Sequence, residues 1–179
     1  MNVTIFIDDA LKTIQRGTVD RKSPFKLPAL STSTDNKVFQ RIVVARRFIE
    51  HDQSLIIYTD YESQKYHQLK TNPSCSLLFW DPKKRLQVQV TGEASFLDNK
   101  IDYWDKLSDT QKKDYMINPF PGTEISAADD YNYDSAKSRF EVISIQFKTL
   151  DILELAPSGH IRAKRILNKN EREDFWLTP

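Results

Sequence analysis

The spacing of apolar residues predicts an amphipathic helix at the start of the chain, followed by a series of strands. Within residues 3–16, Ile5, Ile7, Leu11 and Ile14 recur at near-helical intervals, so we expect them to face the core. Further along, β-branched and aromatic residues gather in short runs that are typical of strands. These runs are residues 25–33, 37–49, 54–60, 74–81, 85–97, 139–155 and 160–168.

The alternation of apolar and polar residues is clearest in residues 85–97. Val88 and Val90 lie on one face of the expected strand, and Gln87 and Gln89 lie on the other. Strands with one apolar face are typical of antiparallel sheets, whereas parallel strands are apolar on both faces. The pattern therefore favours an antiparallel barrel over a doubly wound parallel sheet.

Two later segments have helical features. Residues 61–70 follow an apolar strand and end just before an Asn-Pro pair, which stops a helix. Residues 98–116 place Ile101, Trp104 and Leu107 on one expected buried stripe.

The complete pattern comprises six or seven strands with two or three helices beside them. Residues 117–138 are irregular, and we interpret them as a long surface or functional loop. Because there is no internal repeat and no linker, we expect one domain over residues 1–179 that is mainly β, with flanking helices.

Bulk composition narrows the class of partner. The 179 residues carry a net charge of +1, so the total does not indicate a polyanion-binding surface. No run of about 18 apolar residues is present to span a membrane. We therefore expect neither nucleic acid nor membrane as a partner. The lone Cys75 cannot form an internal disulfide, which favours a cytoplasmic location.

The scarcity of glycine restricts how a phosphate could be bound. The chain has only four glycines, whereas P-loops and dinucleotide folds need clustered glycines at the phosphate. Side chains and a helix N-terminus would have to hold a phosphate instead. Ser63 and Lys65 stand at such a helix start, although ordinary capping and surface charge would also explain them.

Other polar residues have a functional and an ordinary interpretation. Arg41, Arg46 and Arg47 flank an apolar run and suit a phosphate clamp, but arginines at strand ends commonly face solvent. The three histidines lack metal-ligand spacing and only one cysteine is present, so we expect no metal site.

The order of four motifs is more specific than any one of them. "RIVVAR", "YTDYESQK", "NPSCSLLFW" and "LQVQVTGEA" follow one another within residues 41–94. This succession resembles the pyridoxamine 5′-phosphate oxidase-like family of FMN-binding split barrels. "HIR" at 160–162 and "WLTP" at 176–179 resemble the closing motifs of that family.

The resemblance implies a six- to seven-stranded antiparallel split β-barrel that binds FMN at the interface of a homodimer. Arg41, Ser63 and Lys65 would hold the FMN phosphate, and Gln64 stands where the family often has arginine. The resemblance also places other residues near the flavin. They are Ile42, Val43 and Val44 along the ring, Tyr58 and Thr59 on its opposite side, Gln87 towards a flavin held mainly by the second subunit, and Arg162 near the electron-rich edge.

The resemblance leaves the substrate open. Arg46 and His160 would bind an anionic substrate, but Ser158 stands where pyridoxamine phosphate oxidases carry an arginine. We therefore expect an FMN-dependent oxidoreductase of unknown substrate, donor and acceptor, with no assigned general acid or base. One alternative is a true pyridoxamine/pyridoxine 5′-phosphate oxidase, and another is a non-enzymatic flavin- or heme-binding module. A barrel that binds single-stranded nucleic acid through Arg46, Arg47 and residues 83–85 is disfavoured by the net charge.

Overall fold

The computed structural model describes residues 1–168 and 171–179, in which nine antiparallel strands form one sheet. A separate two-stranded pair joins β7 to β8. In chain order the helices and strands are α1 (Val3–Val19), β1 (Ala29–Thr34), β2 (Lys37–Ile42), β3 (Arg47–Ile49), β4 (Ser54–Asp60), α2 (Gln64–Thr71), β5 (Ser74–Asp81), β6 (Leu86–Phe96), α3 (Lys100–Trp104), α4 (Asp109–Lys113), β7 (Ile117–Asn118), β8 (Asn132–Tyr133), β9 (Phe140–Glu154), β10 (Ile161–Leu167) and β11 (Arg172–Leu177).

The long strand β9 organises the sheet. One of its edges pairs with β6 from Ile143 to Glu154. Its other edge is divided, since residues 140–146 pair with β4 and residues 149–154 pair with β10. The sheet continues from β6 through β5 and β1 to β2 and does not close on itself. The predicted mainly β, antiparallel split architecture is confirmed.

A close backbone approach accompanies a register shift in β6. The register with β9 shifts between Thr91 and Gly92. A Cβ atom on Gly92 would lie 2.5 Å from the carbonyl oxygen of Gln146, which real contacts do not tolerate. Glycine is therefore required where the register between the two long strands shifts.

The prediction of one continuous strand over residues 37–49 is wrong. β2 ends at Ile42, opposite Ala29, and β3 begins only at Arg47. Beyond Ala29, the segment that leads into β1 contains Pro28, which has no N–H to donate to a ladder. The amide of Val43 instead donates to the Pro28 carbonyl at 3.0 Å, and the chain turns away from β1. This split and the extra strand β11 raise the strand count above seven.

The predicted helices are present with corrected limits. α2 begins at Gln64 rather than at 61, and residues 98–116 form two short helices, α3 and α4, instead of one. Ile5 and Ile101 were expected in the core, but their side chains are exposed. The helical period alone does not show how wide the buried stripe of each helix is.

Two apolar clusters lie on opposite faces of the β4–β9 pair. The larger fills the barrel and includes Ile7, Leu11 and Ile14 of α1 with Ile57 of β4. The smaller contains Ile56, Leu107, Tyr115, Phe140 and Val142, and Trp104 packs against it. Successive residues of β4 therefore point alternately into the two clusters.

A buried arginine ties α1 to the end of the sheet. Arg165 of β10 donates two hydrogen bonds to Asp174 of β11, at 2.6 and 2.7 Å. It donates a third to Asp8 of α1 at 2.8 Å. The Arg165 side chain is 2% exposed, and the two carboxylates accept hydrogen bonds from its buried charged group.

Candidate functional site

The start of α2 leaves its first turn without a side-chain cap. Ser63 occupies the N-cap position, but its hydroxyl accepts no bond from the first turn of the helix. That hydroxyl instead forms a 2.8 Å hydrogen bond with Oγ1 of Thr59, at the end of β4. The first amides of α2 and the positive end of its dipole therefore remain available to an anion.

Lys65 lies in the same turn and extends towards Thr59. Its Nζ donates to Oγ1 of Thr59 at 3.1 Å. Thr59 and Ser63 are both buried, and the Thr59 hydroxyl that accepts from the ammonium is neutral. Because Thr59 follows Ile57 on the same side of β4, this group lies at the end of the barrel interior.

Arg41 extends from β2, and hydrogen bonds from both of its terminal nitrogens fix the orientation of its guanidinium. Its Nη1 donates to Oγ1 of Thr32 at 2.6 Å, and its Nη2 donates to Oε1 of Gln68 at 2.8 Å. Oγ1 of Thr32 in turn donates to the same Gln68 oxygen at 2.6 Å. The buried residues Thr32 and Gln68 join β1 to α2 and orient the guanidinium.

Arg41, Thr59, Ser63 and Lys65 together form what we call the cationic cradle. Burial and the nearby charge of Arg41 lower the pKa of Lys65, while the charge of Asp60 opposes that shift. Burial likewise lowers the pKa of Arg41. No ion pair within residues 1–168 and 171–179 involves either cation. Two close cations with only neutral hydrogen-bond acceptors are well suited to bind an anion.

The residues predicted to run along the flavin ring lie next to the cradle but differ in exposure. Ile42 is exposed on the outer face and Val43 is buried. Gln64, which stands on α2 where the family often has arginine, points to solvent. The amide of Val44 donates to no acceptor in the described part of the chain. That amide is available for a ligand.

Tyr58 lies away from the cradle hydroxyls because it points to the other face of β4. Its ring packs edge-on against Phe140 and Tyr103. The guanidinium of Arg46 lies 4.9 Å from the centre of the Tyr58 ring. Burial raises the pKa of Tyr115, and the nearby charge of Arg46 counteracts the rise. Arg46 therefore has an aromatic rather than an acidic environment.

Gln87 and Arg162 occupy one row of the sheet, on its outer face. Cross-strand pairing aligns Trp80, Gln87, Leu153 and Arg162 in that order. Arg41 points to the opposite face, because it pairs with the buried Leu30. Within one chain, the predicted cofactor residues therefore form two separate groups.

Arg162 is already engaged within its own chain. Its Nε and Nη2 each donate to a carboxylate oxygen of Asp151 at 2.9 Å. This bidentate pair raises the pKa of Arg162. His160, the other residue predicted at this end of the sheet, is exposed.

In the part of the chain that the structure describes, neither the lone cysteine nor the potential metal ligands indicate a second site. Burial, assisted by the charge of Glu93, raises the pKa of the Cys75 thiol to about 12, so the thiol stays protonated. Across the described ranges, no group of three potential metal ligands comes together. None of the helices in these ranges combines the length and apolar character needed to cross a bilayer.

Sequence reasoning missed several residues that support the cradle. Thr32, Gln68 and Arg139 contact cradle residues or their immediate neighbours. Gln68 could have been recognised, because it is next to the apolar Leu69 in the sequence and both residues lie on the buried side of α2. No comparable local signal marks Arg139, which meets Asp60 across 79 residues of chain.

Comparison with known proteins decides the family. The model of the pyridoxamine 5′-phosphate oxidase family matches residues 24–153, well over half of the chain. The chain belongs to this family. The match contains every element of the cationic cradle.

Curated relatives in the family are named pyridoxine/pyridoxamine 5′-phosphate oxidase. The protein from Shewanella frigidimarina is 37% identical over 92 residues, which are 49% of this chain and 42% of the relative. The protein from Psychrobacter cryohalolentis is 27% identical over 129 residues, which are 70% of this chain and 56% of the relative. The chain thus spans about half the length of the curated relatives that it matches.

Two solved structures share the fold over nearly the whole chain. An FMN-binding protein related to pyridoxamine 5′-phosphate oxidase, from Nostoc punctiforme, matches with a TM-score of 0.78 and 21% identity, covering 96% of each chain. PhzG from Burkholderia lata, solved with tetrahydrophenazine-1-carboxylic acid, has a TM-score of 0.74 and 16% identity. That match covers 98% of this chain and 92% of PhzG.

Proposed function

We propose that this protein binds FMN at the interface of a homodimer and acts as a flavin-dependent oxidoreductase. The observation that carries the proposal is the cationic cradle, in which Arg41 and Lys65 lie together without a carboxylate partner in the described residues. Membership of a family that includes an FMN-binding protein adds support.

The donor set of the cradle fits a phosphate monoester. Arg41 offers a planar fork, Lys65 an ammonium, Ser63 a hydroxyl, and α2 its uncapped first turn. Charge-assisted hydrogen bonds stabilise a bound anion by about 1.5–3 kcal/mol each. Three such partners would therefore contribute several kcal/mol to FMN binding.

A second copy of the chain is part of the proposal because apolar side chains are exposed on the outer face of a single chain. Ile42, Leu78 and Trp80 are 61%, 39% and 43% exposed on that face, beside Gln87 and Arg162. Exposed apolar side chains in such a group are typical of an interface. Gln87 and Arg162 of one subunit would then face the flavin held by the cradle of the other.

The protein side chains would bind and orient the cofactor, while Arg46 would hold an anionic substrate. The Nε of Arg46 is buried and has no hydrogen-bond partner in residues 1–168 and 171–179. FMN, when bound, supplies hydride or electron transfer. A role for His160 in substrate binding and a cytoplasmic location stay predictions.

The proposal is tested with purified protein and added FMN. We expect one FMN per chain by equilibrium dialysis, a visible flavin spectrum, and bleaching of that spectrum by NADPH or another reductant under anaerobic conditions. A defined acceptor should then restore the colour over repeated cycles. Bound flavin that is reduced only once, without turnover, would favour a flavin store over an oxidoreductase.

The names of the curated relatives favour one specific second candidate, a vitamin B6 phosphate oxidase. Its test is pyridoxamine 5′-phosphate added to the FMN-loaded protein, with release of hydrogen peroxide followed. Peroxide at a rate that falls with Arg46→Ala would support this substrate. Absence of peroxide, with the flavin fully bound, would exclude it.

A further inference from the structure

Next to the cationic cradle lies a buried ion pair between the end of β4 and the start of β9. Nε of Arg139 donates to Oδ2 of Asp60 at 2.9 Å. Asp60 is 5% exposed and Arg139 is 6% exposed, so water screens neither charge well.

Asp60 belongs to the turn that leads into α2. Its Oδ1 accepts the amide of Glu62 at 2.8 Å, and its carbonyl accepts the amide of Ser63 at 3.0 Å. The carboxylate therefore lies beside Thr59 in the chain and next to the turn that carries Ser63 and Lys65. A carboxylate at this position would repel an incoming phosphate unless its charge were compensated.

Arg139 is held in place from several directions. Its Nη2 donates to the carbonyl of Ile117. Its backbone amide donates to the Tyr115 carbonyl at 2.8 Å, and its carbonyl accepts the amide of Tyr61 at 2.9 Å. The guanidinium is thus fixed against Asp60.

We propose that Arg139 is a positioning residue for the cradle. By pairing with Asp60, it neutralises a buried carboxylate and holds the Asp60–Ser63 turn, so that the cradle accepts a phosphate dianion. This inference rests on the proposed FMN site, and it adds a residue that touches neither the phosphate nor the ring. Its effect is specific to the phosphate, whereas a purely structural role would weaken every ligand equally.

The experiment compares FMN with riboflavin, which lacks the phosphate. Dissociation constants for both are measured by flavin fluorescence on flavin-free protein, and their ratio isolates the contribution of the phosphate. Arg139→Met should reduce the preference for FMN by about tenfold or more, because it leaves the charge of Asp60 uncompensated. Riboflavin binding should change much less.

Two further variants separate charge from structure. Asp60→Asn/Arg139→Met removes both charges and should restore the preference for FMN to near the wild-type value. Asp60→Asn alone should leave that preference equal to or above wild type. Arg165→Met is the matched control, because it also removes the arginine partner of a buried carboxylate. Arg165 lies in the contact between α1, β10 and β11, so this variant should leave the ratio of the FMN and riboflavin dissociation constants unchanged.

The outcomes are decisive even if Arg139→Met does not fold. A lower FMN preference in Asp60→Asn would overturn the proposal, as would an unchanged ratio in a folded Arg139→Met variant or a double variant that fails to recover. A wild-type protein that binds FMN and riboflavin equally would instead refute the phosphate site of the proposed function. The two failures are therefore distinguishable.

Discussion

The hydroxyl of Thr59 accepts a hydrogen bond from the ammonium of Lys65 at 3.1 Å, although the two residues belong to a strand and a helix. The same hydroxyl contacts Ser63 at 2.8 Å. This contact turns a lysine of the first helical turn inwards, towards Arg41, instead of into solvent. The relationship makes the end of the barrel cationic.

Removal of the Thr59 hydroxyl should destabilise the cradle. We expect Thr59→Val to lower the free energy of unfolding by about 1–3 kcal/mol, because Ser63 and Lys65 lose a buried partner. Urea unfolding measures the change. Thr71→Val is the matched control, since its hydroxyl bonds the His67 carbonyl on the surface, and it should have little effect. Equal losses in the two variants would contradict the importance of the buried contact.

The lowered pKa of Lys65 predicts a pH dependence of the flavin-free protein. Between that lowered pKa and the ordinary value of 10.5, the unfolded chain binds more protons than the folded one. The contribution of Lys65 to the free energy of unfolding therefore increases with pH across this window and is constant below it. Lys65→Met should remove the increase. Unfolding free energies of both proteins, measured from neutral pH to 10.5, test this; parallel curves would refute it.

The outer face should control the oligomeric state. Trp80→Glu places a charge among exposed apolar residues, so we expect a monomer with weakened FMN binding. Val19→Glu is the control, because Val19 is 79% exposed at the end of α1 and should leave the dimer intact. Sedimentation velocity measures the mass. A Trp80→Glu protein that remains dimeric would show that the interface lies elsewhere.

The buried Arg165 should matter more for stability than either of its partners alone. Arg165→Met leaves Asp174 buried without a counter-charge, and we expect a loss of about 3–5 kcal/mol in the free energy of unfolding. Asp8→Asn should have a smaller effect, since the Asp8 side chain is 39% exposed. Denaturant titration compares the two variants. A larger loss in Asp8→Asn would reverse the assigned order.

Local patterns predicted most of the fold. The alternation of Val88 and Val90 with Gln87 is preserved in β6, because a period of two fixes which side chains are buried. The break between Ile42 and Arg47 was not predictable from apolar content, since it depends on Pro28 in a neighbouring segment. Strand propensity describes one segment, whereas pairing needs two.

The candidate site was predictable only as far as motif order defines it. The structure brings Arg41, Thr59, Ser63 and Lys65 together, while Gln87 and Arg162 lie on the other face of the sheet. The supporting contact of Thr32 with Gln68 joins residues 36 positions apart, and no spacing rule connects them. Such buried polar pairs depend on the packing of β1 against α2.

FMN binding by the Arg41→Ala/Lys65→Ala variant tests the phosphate site, with wild type and Lys70→Ala on the exposed end of α2 as references. We predict that wild type and Lys70→Ala bind one FMN per chain. The double variant should keep its circular dichroism spectrum and lose at least about a hundredfold in affinity, since two charge-assisted partners are removed. A folded double variant that retains wild-type affinity for FMN would contradict the cationic cradle as the phosphate site.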